Sequence, residues 1–251
     1  MYKIKMLIMM IFIIGSVMGK NTDENNVYQS GLYIKTGSMN SIMIDKYISN
    51  ENYSGSYPFG SIGWRHSWSG GFMDMAISLG NTDDLSNGNI SSWYDHGSFN
   101  LNLLYKLEIK KLNMDTYIGP YIDFSNYYFS HTFSTQTRYE SEGSLVSFGI
   151  NSSIFYPLYN KIRIELSLFT SIISVVEKTF DYQRYPDFEG NSKLTTFLSS
   201  GSYGAEIGLG TYLLKNITFS AHYIIMKTRI NEWDNYIDSR NIFSIELGYD
   251  L

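Results

Sequence analysis

Residues that could carry out catalysis are sparse and widely spaced in this chain of 251 residues. The four histidines stand at positions 66, 96, 131 and 222, and there is no cysteine. The sequence contains no phosphate-binding loop, no cluster with metal-ligand spacing and no nucleophile–base pair. It therefore predicts a protein without a catalytic residue, metal or cofactor. His222 is expected to be a hydrogen-bonded interior residue.

A second group of ionisable residues is more informative, because it lies within segments where apolar residues occupy every second position. Each member falls on the polar phase of its segment. The chemistry open to such residues is ion pairing and hydration inside a closed structure. The predicted interior polar network consists of Lys35, Arg65, Asp74, Lys106, Asp123, Arg163, Glu165, Glu206, His222 and Glu246.

The elements that position these charges are predicted to be β-strands. In the last one, 241–251, the odd positions from Phe243 to Leu251 are apolar, and Glu246 and Asp250 fall on the even positions. A period of two gives a strand one apolar and one polar face. An apolar outer face and a polar inner face are typical of the wall of a membrane β-barrel.

The same pattern recurs about ten times, which predicts an all-β fold, an antiparallel up-and-down transmembrane β-barrel. The predicted strands begin near residues 27, 57, 71, 98, 114, 146, 162, 203, 217 and 241. Each is close to the roughly 9–11 residues that a tilted strand needs to cross a bilayer. Short turns alternate with long loops at about 39–56, 81–96, 130–143, 177–199 and 230–240, the latter expected to be extracellular. Pro120 falls within the fifth strand and predicts a bulge there.

The sequence of one hairpin predicts the register in which its two strands pair. A two-residue turn at 69–70 places Trp64 opposite Met75 on the apolar face. The same register places Arg65 opposite Asp74 on the polar face. Agreement between the two faces predicts that these charges are cross-strand partners inside the barrel.

The N-terminal segment predicts export. Residues 1–19 contain Lys3 and Lys5, an apolar stretch at 6–14 and small residues before position 20, the pattern of a cleavable signal peptide. Residues 20–251 then form the barrel domain. No helix-length apolar run follows residue 19, which argues against a helical membrane protein. The net charge of -5 provides no basic surface for nucleic acid.

Over the mature chain these features resemble bacterial outer-membrane β-barrels of about ten strands. The resemblance is architectural and rests on no family motif. It implies the outer membrane of a Gram-negative-type envelope, contact with outer-membrane lipid, and recognition by the assembly machinery through the C-terminal strand. That strand ends in Leu251, where such proteins usually end in Phe.

Omptin surface proteases also have about ten strands, and their activity needs an Asp pair and an Asp–His pair on opposite sides of the rim. Asp83 and Asp84 resemble the first pair. No histidine occurs between His131 and His222, so the loop after the seventh strand cannot supply the base. The chain is therefore expected not to be an enzyme, with an omptin-like rim protease as one alternative.

The predicted function follows from the narrow interior. Side chains nearly fill a barrel of about ten strands, so the inward charges predict a largely plugged lumen. A narrow porin-like channel for small solutes or ions is the second alternative. With the lumen closed, extracellular loops are expected to bind an unknown surface partner or support the envelope. The candidate recognition residues, which could equally anchor the barrel at the membrane interface, are Trp93, Tyr94, Tyr182, Arg184, Tyr185 and Trp233.

Overall fold

A computed structural model describes residues 30–44, 52–86, 90–109, 114–133, 138–159, 162–180, 191–196, 200–230 and 236–251. The predicted signal peptide lies outside these residues. The described residues form β1 (Gly31–Ile44), β2 (Asn52–Trp68), β3 (Gly71–Ser86), β4 (Ile90–Leu107), β5 (Asp115–Phe133), β6 (Arg138–Tyr159), β7 (Ile162–Phe180), β8 (Asn191–Thr196), β9 (Ser200–Leu214), β10 (Ile217–Ile230) and β11 (Tyr236–Asp250). None of them forms a helix long and apolar enough to cross a membrane.

Ten of the strands close into one antiparallel barrel with up-and-down order. Neighbouring strands pair in sequence, and β1 pairs with β11 to close the sheet. β8 is the exception, because it is short and pairs with β7 at the point where β7 has separated from β9. The prediction of an up-and-down barrel of about ten strands is confirmed.

The register of the hairpin at 69–70 is also confirmed. Trp64 lies opposite Met75, and Arg65 lies opposite Asp74. The predicted bulge at Pro120 is wrong. The β4–β5 ladder omits the two pairs beside the proline and resumes in the same register, with Asn102 opposite Tyr121 and Tyr105 opposite Ile118. The missing amide donor is thus accommodated by lost pairs and not by an inserted residue.

The strands extend further than predicted at one end of the barrel. β2 begins at Asn52, β4 at Ile90 and β11 at Tyr236, so much of the predicted loops at 39–56, 81–96 and 230–240 belongs to strands. The predicted loop at 177–199 contains the end of β7 and all of β8. We call this end the loop end. The opposite end, where the chain turns at 69–70 and 215–216, is the turn end.

The outer face of the barrel changes character along its axis. Near the turn end it is apolar, as predicted for β11, where Phe243, Ile245, Leu247 and Tyr249 are 42–56% exposed. We call this part the apolar band. Beyond it the outward residues are largely polar, for example Asn52, Ser54 and Ser56 on β2 and Ser239 and Asn241 on β11. These segments form the projecting end (residues 38–44, 52–59, 81–86, 90–97, 126–133, 138–145, 174–180, 200–202, 227–230 and 236–242).

The interior also changes along the axis. Inside the projecting end, apolar and aromatic side chains pack into a buried core of Met39, Met43, Tyr53, Tyr57, Phe59, Leu85, Tyr94, Tyr127, Leu145, Val176, Ile230 and Ile242. Inside the apolar band, the buried residues are mostly polar or charged. A wall that faces water outside buries apolar groups inside, whereas a wall that is apolar outside directs its charges inward.

Candidate functional site

The interior holds two buried groups of charged residues on either side of a cavity. The turn-side cluster consists of Lys35, Arg65, Asp74, Glu206, His222 and Glu246. The loop-side cluster consists of Tyr94, His96, Asp238 and Arg240. Both are built from inward positions of the strands.

Arg65 is the centre of the turn-side cluster. It reaches past β1 to Glu246 on β11, with Nη1 donating to Oε1 at 2.7 Å and Nη2 donating to Oε2 at 3.0 Å. Its Nε donates to Asp74 Oδ2 at 3.3 Å. The guanidinium also lies 4.2 Å from the centre of the Tyr33 ring, and the Tyr33 hydroxyl donates to Asp74 Oδ1 at 2.8 Å. A two-pronged Arg–carboxylate contact of this kind is among the stronger polar interactions in proteins.

Lys35 extends the turn-side cluster across the lumen. Its Nζ lies 3.5 Å from Glu206 Oε1 and 3.7 Å from Glu246 Oε2. His222 Nδ1 lies 2.7 Å from Glu206 Oε1, although that contact lacks hydrogen-bond geometry. Six of the ten predicted interior residues therefore meet in one network.

The other four predicted residues lie apart from the turn-side cluster. Lys106 Nζ pairs with Asp115 Oδ1 at 2.6 Å, where both side chains are partly exposed. The Arg163 guanidinium lies 5.8 Å from the centre of the Tyr212 ring. Glu165 Oε1 accepts a hydrogen bond from Ser167 at 3.4 Å. Asp123 accepts hydrogen bonds from Asn100 and Ser125.

The loop-side cluster was not predicted, because its residues fall in segments taken for loops. Arg240 is buried, and its Nε donates to Asp238 Oδ2 at 2.6 Å. Its Nη2 donates to the Tyr94 hydroxyl at 2.8 Å, and Nη1 lies 3.1 Å from His96 Nε2. Asp238 Oδ1 also accepts a hydrogen bond from Ser41 at 2.6 Å. Within the described residues, His96 Nδ1 is the buried polar atom of this cluster that has no hydrogen-bond partner.

The candidate recognition residues separate into three cases. Tyr94 lies in β4 with its side chain fully buried, so the prediction of a surface-loop position is wrong for it. Trp93 also lies in β4 and not in a loop, but it points outward and is 41% exposed. Its ring packs edge-to-face against Tyr128 with centroids 5.2 Å apart. The remaining four lie outside the described residues: Tyr182, Arg184, Tyr185 and Trp233.

A cavity of about 190 Å³, lined by both polar and apolar side chains, separates the two clusters. Lys35, Asp74 and Glu206 line its turn side, and His96 and Arg240 line its loop side. A water molecule occupies about 30 Å³ in the liquid, so this space suits a few hydrogen-bonded waters. Among the residues with described side chains, no group of three or more His, Cys, Asp or Glu could hold a metal ion.

The omptin-like alternative rested on Asp83 and Asp84. Their backbone lies in β3, at the projecting end. Two histidines lie in this part of the barrel: His131 in β5, whose side chain is outside the described part of the structure, and His96, which points inward and is buried against Arg240. His96 is therefore not presented at the rim, where an omptin-like base would have to lie.

No protein-family model and no curated protein sequence matches the chain. Its fold is similar to that of the outer membrane protease OmpT from Escherichia coli, with a TM-score of 0.58 and 11% identity, covering 89% of this chain and 97% of that one. It is also similar to the translocator domain of the autotransporter NalP from Neisseria meningitidis, with a TM-score of 0.51 and 10% identity, covering 99% of this chain and 96% of that one. The predicted resemblance to small outer-membrane β-barrels is therefore confirmed at the level of the fold.

Proposed function

We propose that the protein is a non-enzymatic outer-membrane barrel with a closed lumen, whose projecting end presents a rigid recognition surface outside the cell. One observation carries this proposal: at the level where the outer face changes from apolar to polar, the interior gains a packed apolar core beside the loop-side cluster. Strands that are apolar outside and charged inside suit a bilayer. Strands that are polar outside and bury an apolar core suit water.

The closed lumen follows from what fills it. Solutes moving along the axis would have to cross the apolar core of the projecting end and then separate the bidentate Arg65–Glu246 pair. Each is costly to open, because one is close-packed and the other would leave unpaired charges in a confined space. These barriers support a plugged barrel over the porin-like alternative.

The recognition surface is supported by the outer face of the projecting end. Trp93 is exposed there, is held by its edge-to-face contact with Tyr128, and has Asp95 and Ser91 as outward neighbours on β4. Aromatic anchors surrounded by polar groups are a composition suited to protein recognition. In outer-membrane barrels the short turns face the periplasm, which would put the loop end outside the cell.

Because the chain has no cysteine, its topology can be tested with single cysteines on intact cells. A membrane-impermeant maleimide should label Asp95→Cys directly, but should label Lys215→Cys, at the β9–β10 turn, only after the outer membrane is opened. Ser244→Cys, which is buried, controls for labelling through unfolding. Labelling of Lys215→Cys on intact cells, with protection of Asp95→Cys, would invert the topology.

The closed lumen is tested separately in planar bilayers. The purified barrel should show no steady single-channel conductance in salt solution. Regular openings of the intact protein would favour the narrow channel instead.

A further inference from the structure

The wall of the barrel has a seam where β7 separates from β9. The last pair between them is Thr170–Tyr203, and from Ile173 onward β7 pairs with β8. At the same level, the β6–β7 register shifts by one residue between Phe148 and Gly149. β7 therefore carries a bulge at the point where it changes partner.

Serine hydroxyl groups take the place of the backbone ladder across the seam. Ser171 Oγ accepts a hydrogen bond from the Ser202 amide and donates one to the Ser202 carbonyl, both at 2.9 Å. Ser174 Oγ donates to the Ser200 carbonyl at 3.0 Å. Between these contacts, Gly201 has a φ of 132°, a conformation that side chains rarely adopt. The seam is therefore bonded, but it lacks the side-chain bulk of an ordinary strand pair.

A groove of about 860 Å³ lies over the seam on the outer face. Its walls include the outward apolar residues Ile118, Ile150, Leu168 and Ile225. Phe169 and Ser202 form part of its floor and also line the interior cavity. The groove is therefore largely apolar and open to the surroundings of the apolar band.

The same groove has a positively charged end. Lys227 and Arg229 line it, and they follow Ile225 on the outward face of β10, where the apolar band ends. Glu177 of β7 is exposed on the far side of the seam but does not line the groove. Two cations at one end of an apolar groove suit an anion.

We propose that the groove binds one phosphate-bearing membrane lipid, with an acyl chain against the apolar walls and the phosphate at Lys227 and Arg229. This inference rests on the membrane placement of the proposed function. The cations stand at the level where a bilayer changes from hydrocarbon to headgroups, and basic residues at that level attract anionic lipid. A groove that has apolar walls and two cations at one end fits an amphiphile better than it fits a free anion.

The test is lipid retention measured by native mass spectrometry. The full barrel is reconstituted in phosphatidylcholine nanodiscs with a minor fraction of phosphatidylglycerol, then released into mild detergent. The wild-type protein should retain phosphatidylglycerol preferentially. Lys227→Gln/Arg229→Gln should lower that preference by about 30-fold, the effect of two basic residues near an anionic surface. Lys215→Gln, which removes a charge at the turn end, should not.

A second pair of variants separates the groove from surface charge. Ala205→Phe and Thr170→Trp add bulk to outward positions inside the groove, whereas Thr211→Trp adds it elsewhere on the outer face of β9. Both groove variants should reduce retention, and the control should not. Heat-modifiable migration on gels checks that each variant is folded, and two groove variants guard against one that misfolds.

Several results would overturn the lipid site. Equal retention of both lipids by the wild-type protein is one. Loss of preference in the charge variant with full retention in both groove variants is another, since it would indicate surface attraction alone. Displacement of the lipid by millimolar inorganic phosphate would indicate a simple anion site. A barrel that inserts into bilayers and shows no preference contradicts this site only, whereas failure to insert contradicts the proposed function as well.

Discussion

Glu246→Gln is the sharpest perturbation of the interior, because Glu246 faces two cations. Its carboxylate accepts both hydrogen bonds from Arg65 and lies 3.7 Å from Lys35. The side chain is 1% exposed, so water does not replace it as a partner. Glutamine keeps the size and one acceptor oxygen but removes the charge. The substitution therefore isolates the ionic part of the contact.

The expected loss of unfolding free energy can be estimated from the contacts that Arg65 and Lys35 keep in the variant. Removing one member of a buried ion pair typically costs about 3–5 kcal/mol, because the other charge is left uncompensated. Here Arg65 keeps Asp74 and the face of Tyr33, and Lys35 keeps Glu206. We therefore expect the low end of the range, about 3 kcal/mol lost from the free energy of unfolding.

The assay is urea unfolding of the folded barrel in lipid vesicles, followed by circular dichroism. Glu206→Gln is the matched control: its side chain is 20% exposed, so water should compensate and the loss should be about 1 kcal/mol. In the cycle with Arg65→Met, the two substitutions should cost less together than their sum, by at least about 1 kcal/mol. A cost for Glu246→Gln no greater than for Glu206→Gln, with additive effects in the cycle, would refute the buried network.

Two further predictions concern the wall. Leu247→Arg should impair assembly or cost about 2–4 kcal/mol of unfolding free energy, as expected for a cation facing lipid. Ser239→Arg, which is outward on the same strand beyond the apolar band, should assemble normally. Equal yields of folded protein from the two variants would contradict the apolar band. Gly201→Ala should be destabilised by about 1–3 kcal/mol, because the added Cβ would lie 2.5 Å from Ser171 Cβ at a positive φ. In the control Gly60→Ala, the added Cβ has no atom within 4 Å. Comparable losses of stability in the two variants would contradict the predicted strain at Gly201.

The sequence was sufficient to predict the part of the barrel that lies within the apolar band. There the apolar phase faces outward, so a period of two identifies both the strand and its orientation. In the hairpin at 69–70, the apolar pairs and the Arg65–Asp74 pair depend on the same register, and a shift of one residue would have broken both. Contacts between residues on non-adjacent strands were harder to predict. The Arg65–Glu246 contact depends on the lateral position of β1 between them.

The projecting end was mistaken for loops because its pattern is reversed. In 52–58 the outward residues are Asn, Ser or Pro, and the inward phase holds Tyr53 and Tyr57. Serine, asparagine and tyrosine resemble a loop in composition, although they retain a period of two. The same reversal concealed Asp238 and Arg240, which point inward beside apolar neighbours. A continued alternation of aromatic and small polar residues was the signal that could have revealed these strands.

The level at which the pattern reverses also fixes how the barrel would sit in a bilayer. On β11 and the residue that follows it, the apolar outward run covers 243–251, nine positions, or about 30 Å of extended chain at about 3.3 Å per residue. With a tilt of about 40°, this gives an apolar height of about 23 Å, close to the roughly 25 Å band of outer-membrane barrels. The eight residues 52–59 of β2 then rise about 20 Å beyond it. The turn-side cluster lies within the apolar band, where charged side chains must face inward because the outer face of the wall has no contact with water. The apolar core begins where water reaches the outer face, and it encloses the loop-side cluster of Asp238 and Arg240 beside it.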